Sequence, residues 1–214
     1  MIYDHNHPRI RQQWLGQGAN RYNGAFYYSK EIVKNIIPLI DTDRNWITID
    51  IRGVDANHSI VFIHNNLTHH RYDWLIDFED KILVCGIPET CEKNKHLGTP
   101  IYLPLSVDVA DVSRYKAEKT REIAFAGRPD KRLNIDFPSE TDFIEGIPRP
   151  LFLTEMAKYK KVYAVGRVAL EAKVLGCEIL PYDPRFPDPS IWKVLDNKDA
   201  AKILQQKLDE IDGR

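Results

Sequence analysis

The chain has 214 residues, 43% hydrophobic and 29% charged, an ordinary globular composition with length enough for a buried core in one or two domains. Its 30 Lys and Arg against 31 Asp and Glu leave a formal net charge of -1, which speaks against general nucleic-acid binding, where a basic excess is the rule. No apolar run reaches the roughly 18 residues of a membrane span, and the stretch from Met1 to His5 lacks the charged and apolar regions of a signal peptide, so a cytoplasmic protein is expected.

In chain order, the first twenty residues are polar and without period. Asn23-Gly24 is a turn signal, and Ser29-Lys30-Glu31 can open a helix in which Ile32, Val33, Ile36 and Ile37 recur at helical spacing before Pro38. Short apolar runs at 46–49, 60–63, 82–85 and 101–103 read as strands, being rich in Ile, Val and aromatics and bounded by polar or turn residues. Residues 88–95 read as a short helix with Pro88 in its first turn. Residues 104–108 form a joint, and 109–119 is a polar helix or loop. A strand follows at 123–126, a turn-rich stretch without assignment at 134–146, a helix at 151–159 and a strand at 162–165. A helix at 168–175 stops at Gly176, a strand covers 177–182, and an amphipathic helix covers 200–211. Strands alternating with helices predict an α/β fold with parallel sheets. The joint divides it into an N-terminal domain, 1–105, and a C-terminal domain, 106–214.

The three cysteines, Cys85, Cys91 and Cys177, form no CxxC pair, so neither a structural disulfide nor a zinc site is expected. The histidines His5, His7, His69 and His70 likewise lack ligand spacing.

Two segments carry most of the chemical signal. In the first, a strand ends at Gly166 and a helix begins at once with Arg167 and Val168. Free N–H groups and the positive dipole end at a helix start suit a phosphate, and a glycine lets it come close to the backbone. Glu171, one turn on, is placed to accept hydrogen bonds from a ribose diol. The plain alternative is an ordinary strand-turn-helix with a solvated Glu171. In the second segment, a strand runs into Gly127 and then into Arg128, Lys131 and Arg132, which can neutralise a diphosphate. A solvated basic turn is the alternative there.

Together these segments resemble the nucleotide-binding half of GT-B glycosyltransferases over residues 101–183. Gly127-Arg128 with Lys131-Arg132 stands where that family has a Gly-Arg loop followed by a cation. The run from Gly166 through Glu171-Ala172 to Gly176 and Leu180 matches its Glu-Ala helix and following strand, and residues 105–108 resemble its interdomain segment with Ser106 in place of Gly. The resemblance implies two small Rossmann-like halves with parallel sheets facing a cleft, and a nucleotide-diphosphate-sugar as donor substrate, with no separate cofactor. It also implies diphosphate contacts from Arg128, Lys131 and Arg132, backbone contacts from Gly166, Arg167 and Val168, and a ribose contact from Glu171. Many retaining members carry a second Glu eight residues earlier; here that position is Tyr163, which points to inversion or to a site without catalysis. His64 follows the strand 60–63 directly and is the candidate general base, with Asn65 and Asn66 beside it; a strand-capping His is the alternative. The acceptor is open. Three readings stand: a sugar transferase, a non-catalytic binding module of the same fold, and a DNA-modifying glycosyltransferase served by a local patch of Arg9, Arg11 and Arg21.

Overall fold

The computed structural model describes residues 31–48, 59–63, 80–184 and 186–213. The chain divides into two compact units. Of the described residues, one unit combines those from Glu31 to Pro104 with those from Asn197 onward; the other holds those from Leu105 to Asp196. Each is an α/β unit built on a parallel four-stranded sheet.

In the first unit the strands are β1 (Trp46–Thr48), β2 (Ile60–Ile63), β3 (Ile82–Cys85) and β4 (Thr99–Tyr102), in the order β1-β2-β3-β4. All four residues of β2 and of β3 are buried, as befits central parallel strands covered on both faces. The expected strands at 60–63 and 82–85 are found with their expected bounds. The last begins earlier than 101–103, taking in Pro100 opposite Leu83. That position is tolerable because β4 is an edge strand whose outer ladder needs no donor. Helix α1 (Pro88–Asn94) carries its proline in the first turn.

The expected helix around Ile32 is a π-helical turn, Ile32–Ile36, running into a 3-10 turn, Ile37–Leu39, which contains Pro38. It buries Ile32 and Ile36. Glu31 Oε2 accepts from Asn35 Nδ2 and from Asn197 Nδ2, each at 2.6 Å. Arg44 pairs with Asp212 at 2.5 Å, and the Asp41 N–H donates to Gln205 at 2.7 Å. These bonds fasten the final helix, Asn197–Asp212, to the first unit. Its apolar face, Ala200, Ala201, Leu204 and Leu208, is buried. The sequence places this helix in a C-terminal half running to residue 214; in the structure it groups with the first unit, against the turns at 32–39.

The second unit opens with Asp108 capping α2 (Val109–Ser113) through the Asp111 N–H at 2.8 Å. Beside this start, the Val107 N–H donates to the Leu195 carbonyl, so the unit begins and ends on paired backbone. The strands are β5 (Arg121–Ala126), β6 (Asp142–Ile144), β7 (Tyr159–Tyr163) and β8 (Glu178–Leu180), in the order β6-β5-β7-β8, with α3 (Arg149–Met156) before β7 and α4 (Arg167–Val174) after it. Completing the numbering, the final helix is α5. Buried Ala124, Ala126, Ala164, Ala169 and Ala172 let helix and strand approach closely around Phe125, Leu153, Met156 and Leu170.

Strand β6 has no counterpart among the expected elements. It is a three-residue edge strand inside the turn-rich stretch, and its partner β5 supplies the ordering. The helix expected over 151–159 stops at Met156, and Tyr159 opens β7 opposite Arg121. Two exposed lysines, Lys160 and Lys161, disguise the start of that strand. Tyr159 also explains why it belongs to the sheet: its Oη accepts from Arg121 Nη1 and donates to Asp142 Oδ2, both at 2.8 Å, bridging β7, β5 and β6.

Candidate functional site

Strand order locates the site of the second unit. From β5 the chain moves to one side, to β6; from β7 it moves to the other, to β8. Ligands of open parallel sheets bind outside the C-terminal ends of the strands at such a reversal. The two loops there are Gly127-Arg128, after β5, and residues 164–166, after β7, which are the two segments singled out from the sequence.

At the β7 loop, Gly166 has φ 62° and ψ -138°, a conformation open in practice only to glycine. An added methyl would meet nothing closer than Leu105 Cδ1 at 3.9 Å, so backbone conformation, not space, requires the glycine. The Gly166 carbonyl accepts from the N–H groups of Ala169 and Leu170, and no side chain caps α4. The N–H groups of Arg167 and Val168 precede the first intrahelical bond.

Arg167 and Glu171 lie one turn apart on α4 and are both buried, their side chains 3% and 5% exposed. Arg167 Nε donates to Glu171 Oε1 at 2.8 Å. Arg149, the first residue of α3, donates to the same oxygen from Nη2 at 3.0 Å and Nε at 3.2 Å, and its Nη1 reaches Asp111 Oδ2 on α2 at 3.2 Å. Asp111 is also paired with the exposed Arg114. Burial pushes the Asp111 carboxyl up, but hydrogen bonds from Arg114 and Arg149 outweigh it and hold the group below its ordinary value. The sequence assigns Arg167 a backbone contact and Glu171 a ribose contact; in the structure their side chains also belong to one ion cluster. Arg149 and Asp111 were not singled out, because their nearness to Glu171 comes only from helix packing.

The cations after β5 are placed differently from one another. Arg128 is half-exposed and pairs with Asp130 at 3.0 Å. Lys131 sits with Nζ 4.6 Å from the Phe186 ring centre. Arg132 is gripped by both carboxylate oxygens of Glu145, at 2.8 and 2.9 Å, and stacks over Phe143 at 4.6 Å.

Between the end of β7 and the turn after β8 lies a pocket of about 380 Å³, a size suited to a small ligand. Ala164 and Val165 form one wall; Tyr182, Asp183, Phe186 and four prolines, Pro181, Pro184, Pro187 and Pro189, form the other. Tyr182 belongs to an aromatic cluster along the same sheet edge, with Phe125, Phe137, Phe143, Tyr163 and Phe186 at ring separations of 5.0 to 6.2 Å. Tyr163 packs on Phe137 at 5.0 Å. This cluster was not read from the sequence, since Phe137 and Phe143 fall in the stretch without assignment.

His64, with Asn65, Asn66, His69 and His70, lies outside the described residues, as do Asn23-Gly24, His5, His7 and the arginines 9, 11 and 21. Among the described residues no group of three or more His, Cys, Asp or Glu could hold a metal ion, and no helix is long and apolar enough to cross a membrane. Set against known proteins, the chain matches no family model, and no curated protein matches it. What fold and site define is an α/β chain of two parallel sheets, with a glycine-gated helix start, a buried Arg–Glu cluster and a pocket at one sheet edge.

Proposed function

We propose that the second unit binds a nucleoside diphosphate-sugar and that the chain is a glycosyltransferase of GT-B type. The observation that carries this reading is the meeting, at the strand-order reversal, of the Gly166 turn with Glu171 one helical turn behind it. In this reading the diphosphate lies against the Arg167 and Val168 N–H groups, Glu171 takes the ribose, and the nucleoside extends into the pocket beside Ala164 and Tyr182. Arg128 and Lys131 reach the diphosphate. The exposed Arg128–Asp130 pair is worth only about 0–1 kcal/mol, so a phosphate can take Asp130's place. Arg132, held at two points by Glu145, shapes the loop instead of binding the ligand.

Transfer would invert the sugar carbon. The acceptor hydroxyl loses its proton to a general base, for which the sequence offers His64, as its oxygen bonds to the sugar, and the bond to the diphosphate breaks with its electron pair leaving on the phosphate oxygen. Arg128, Lys131 and the α4 N-terminus stabilise that charge.

A thermal-shift panel of UDP, GDP, CMP, dTDP and their sugars, with and without Mg²⁺, tests the donor side. A ligand at 100 times its dissociation constant adds about 2.7 kcal/mol. A shift with one nucleotide supports the reading; no shift with any of them removes it. One observation favours a second reading, a binding module without catalysis: Tyr163, at the position of the second Glu in retaining enzymes, is packed into the aromatic cluster. Donor turnover that is abolished in His64→Ala would exclude that module.

A further inference from the structure

Glu171 presents its two oxygens unequally. Three hydrogen bonds, one from Arg167 and two from Arg149, converge on Oε1. Oε2 accepts none from the described residues, and it is not sealed off either, since the buried side-chain atoms without a partner do not include it. The 5% of the side chain that stays exposed therefore includes Oε2. A carboxylate oxygen has two lone-pair sites, enough for the two hydroxyls of a vicinal diol. Arg167 alone does not determine which oxygen faces outward, because it sits on the same helix and turns with it. Arg149 comes from α3 and is itself held by Asp111 on α2, so it braces Glu171 from two other helices.

We propose that Arg149 is a positioning residue for sugar recognition: by holding Oε1, it presents Oε2 to the ribose diol and makes the site prefer ribonucleotides over 2′-deoxyribonucleotides. This rests on the nucleotide-binding reading above. Ribose donates two hydrogen bonds to Oε2 and deoxyribose one. A hydrogen bond to a charged group implies a preference of about ten- to a hundredfold. Without Arg149 the carboxylate turns between rotamers, and both sugars meet it equally poorly.

The test is calorimetric binding of the pairs UDP and dUDP, GDP and dGDP, ADP and dADP to wild type, Arg149→Met and Arg149→Lys. Wild type should bind one ribonucleotide about ten- to a hundredfold more tightly than its deoxy counterpart. Arg149→Met should reduce that ratio to within about threefold of unity, and Arg149→Lys, which keeps the charge but loses the forked donors, should fall between. The ratio is the decisive readout, because a purely structural role for Arg149 would lower the folded fraction and weaken both ligands alike. A ribonucleotide preference retained in Arg149→Met, or in Arg149→Lys should the Met variant not fold, would overturn the inference and leave nucleotide binding standing. Binding by wild type without any ribose preference would do the same. No binding of any of the six would overturn both.

Discussion

Replacing Glu171 by Gln tests the ion cluster directly. The two side chains are nearly isosteric, so the change removes charge and leaves volume. In the native unit Glu171 pairs with Arg167, whose side chain is 3% exposed, and shares Arg149 with Asp111. Arg149 keeps Asp111 after the substitution, whereas buried Arg167 loses the charge of Glu171. Breaking a buried pair from one side costs about 3–5 kcal/mol. For a chain of this size that is a fall in melting temperature of about 6–20 °C, at about 2–4 °C per kcal/mol. The same physics makes the double variant Arg167→Met, Glu171→Met milder than the sum of its parts, since both charges leave together. We expect a coupling above about 1 kcal/mol, within the range seen for groups in one network. Urea unfolding of the wild type, Glu171→Gln, Arg167→Met, Glu171→Met and the double variant, followed by fluorescence and circular dichroism, completes the cycle. A loss below about 1 kcal/mol in Glu171→Gln, or strictly additive single effects, would mean that Glu171 and Arg167 do not share a buried bond.

Gly166→Ala places a methyl in open space but forces φ near 62° on a residue with a Cβ; the expected loss is about 1–3 kcal/mol by urea unfolding, and no measurable loss would refute the turn geometry. The Asp111 carboxyl sits below its ordinary value in the folded chain, so its stabilisation is complete above the unfolded pKa of about 3.9 and is lost as pH falls through the lower folded value. An acid-unfolding series should therefore show wild type more stable than Asp111→Asn at pH 6, with the gap closing below about pH 4; a constant gap would deny the ion pairing. Burial pushes all three thiols up, Cys85, Cys91 and Cys177, the last only partly offset by Lys119 at 3.2 Å. A disulfide reagent at pH 8 should label the native chain far more slowly than the urea-unfolded chain, and equal rates would contradict the burial.

The pattern of apolar runs and turn residues determined much of this protein locally. The strands at 60–63 and 82–85 needed no more than four consecutive apolar residues between polar boundaries, because a central parallel strand is buried on both faces and reads as a continuous run. Helix α4 was legible from its boundaries, Gly166 and Gly176, each at a positive φ that a glycine accepts. The same local signals picked out both loops at the sheet edge. The tertiary structure decided the rest. Strand β6 exists because β5 offers it a partner, and Tyr159 joins β7 because its hydroxyl bridges Arg121 and Asp142. Helix α5 groups with the first unit because Asn197, Gln205 and Asp212 find partners at Glu31, Asp41 and Arg44, more than 160 positions away. Glu171 was legible as a carboxylate one turn into a helix; that one of its oxygens is held by Arg149 was not, since 22 positions separate the two. Periodicity and capping act over a few residues along the chain, while a buried charge must find its counterion wherever folding brings one within about 3 Å, and that distance belongs to the packing of α2, α3 and α4.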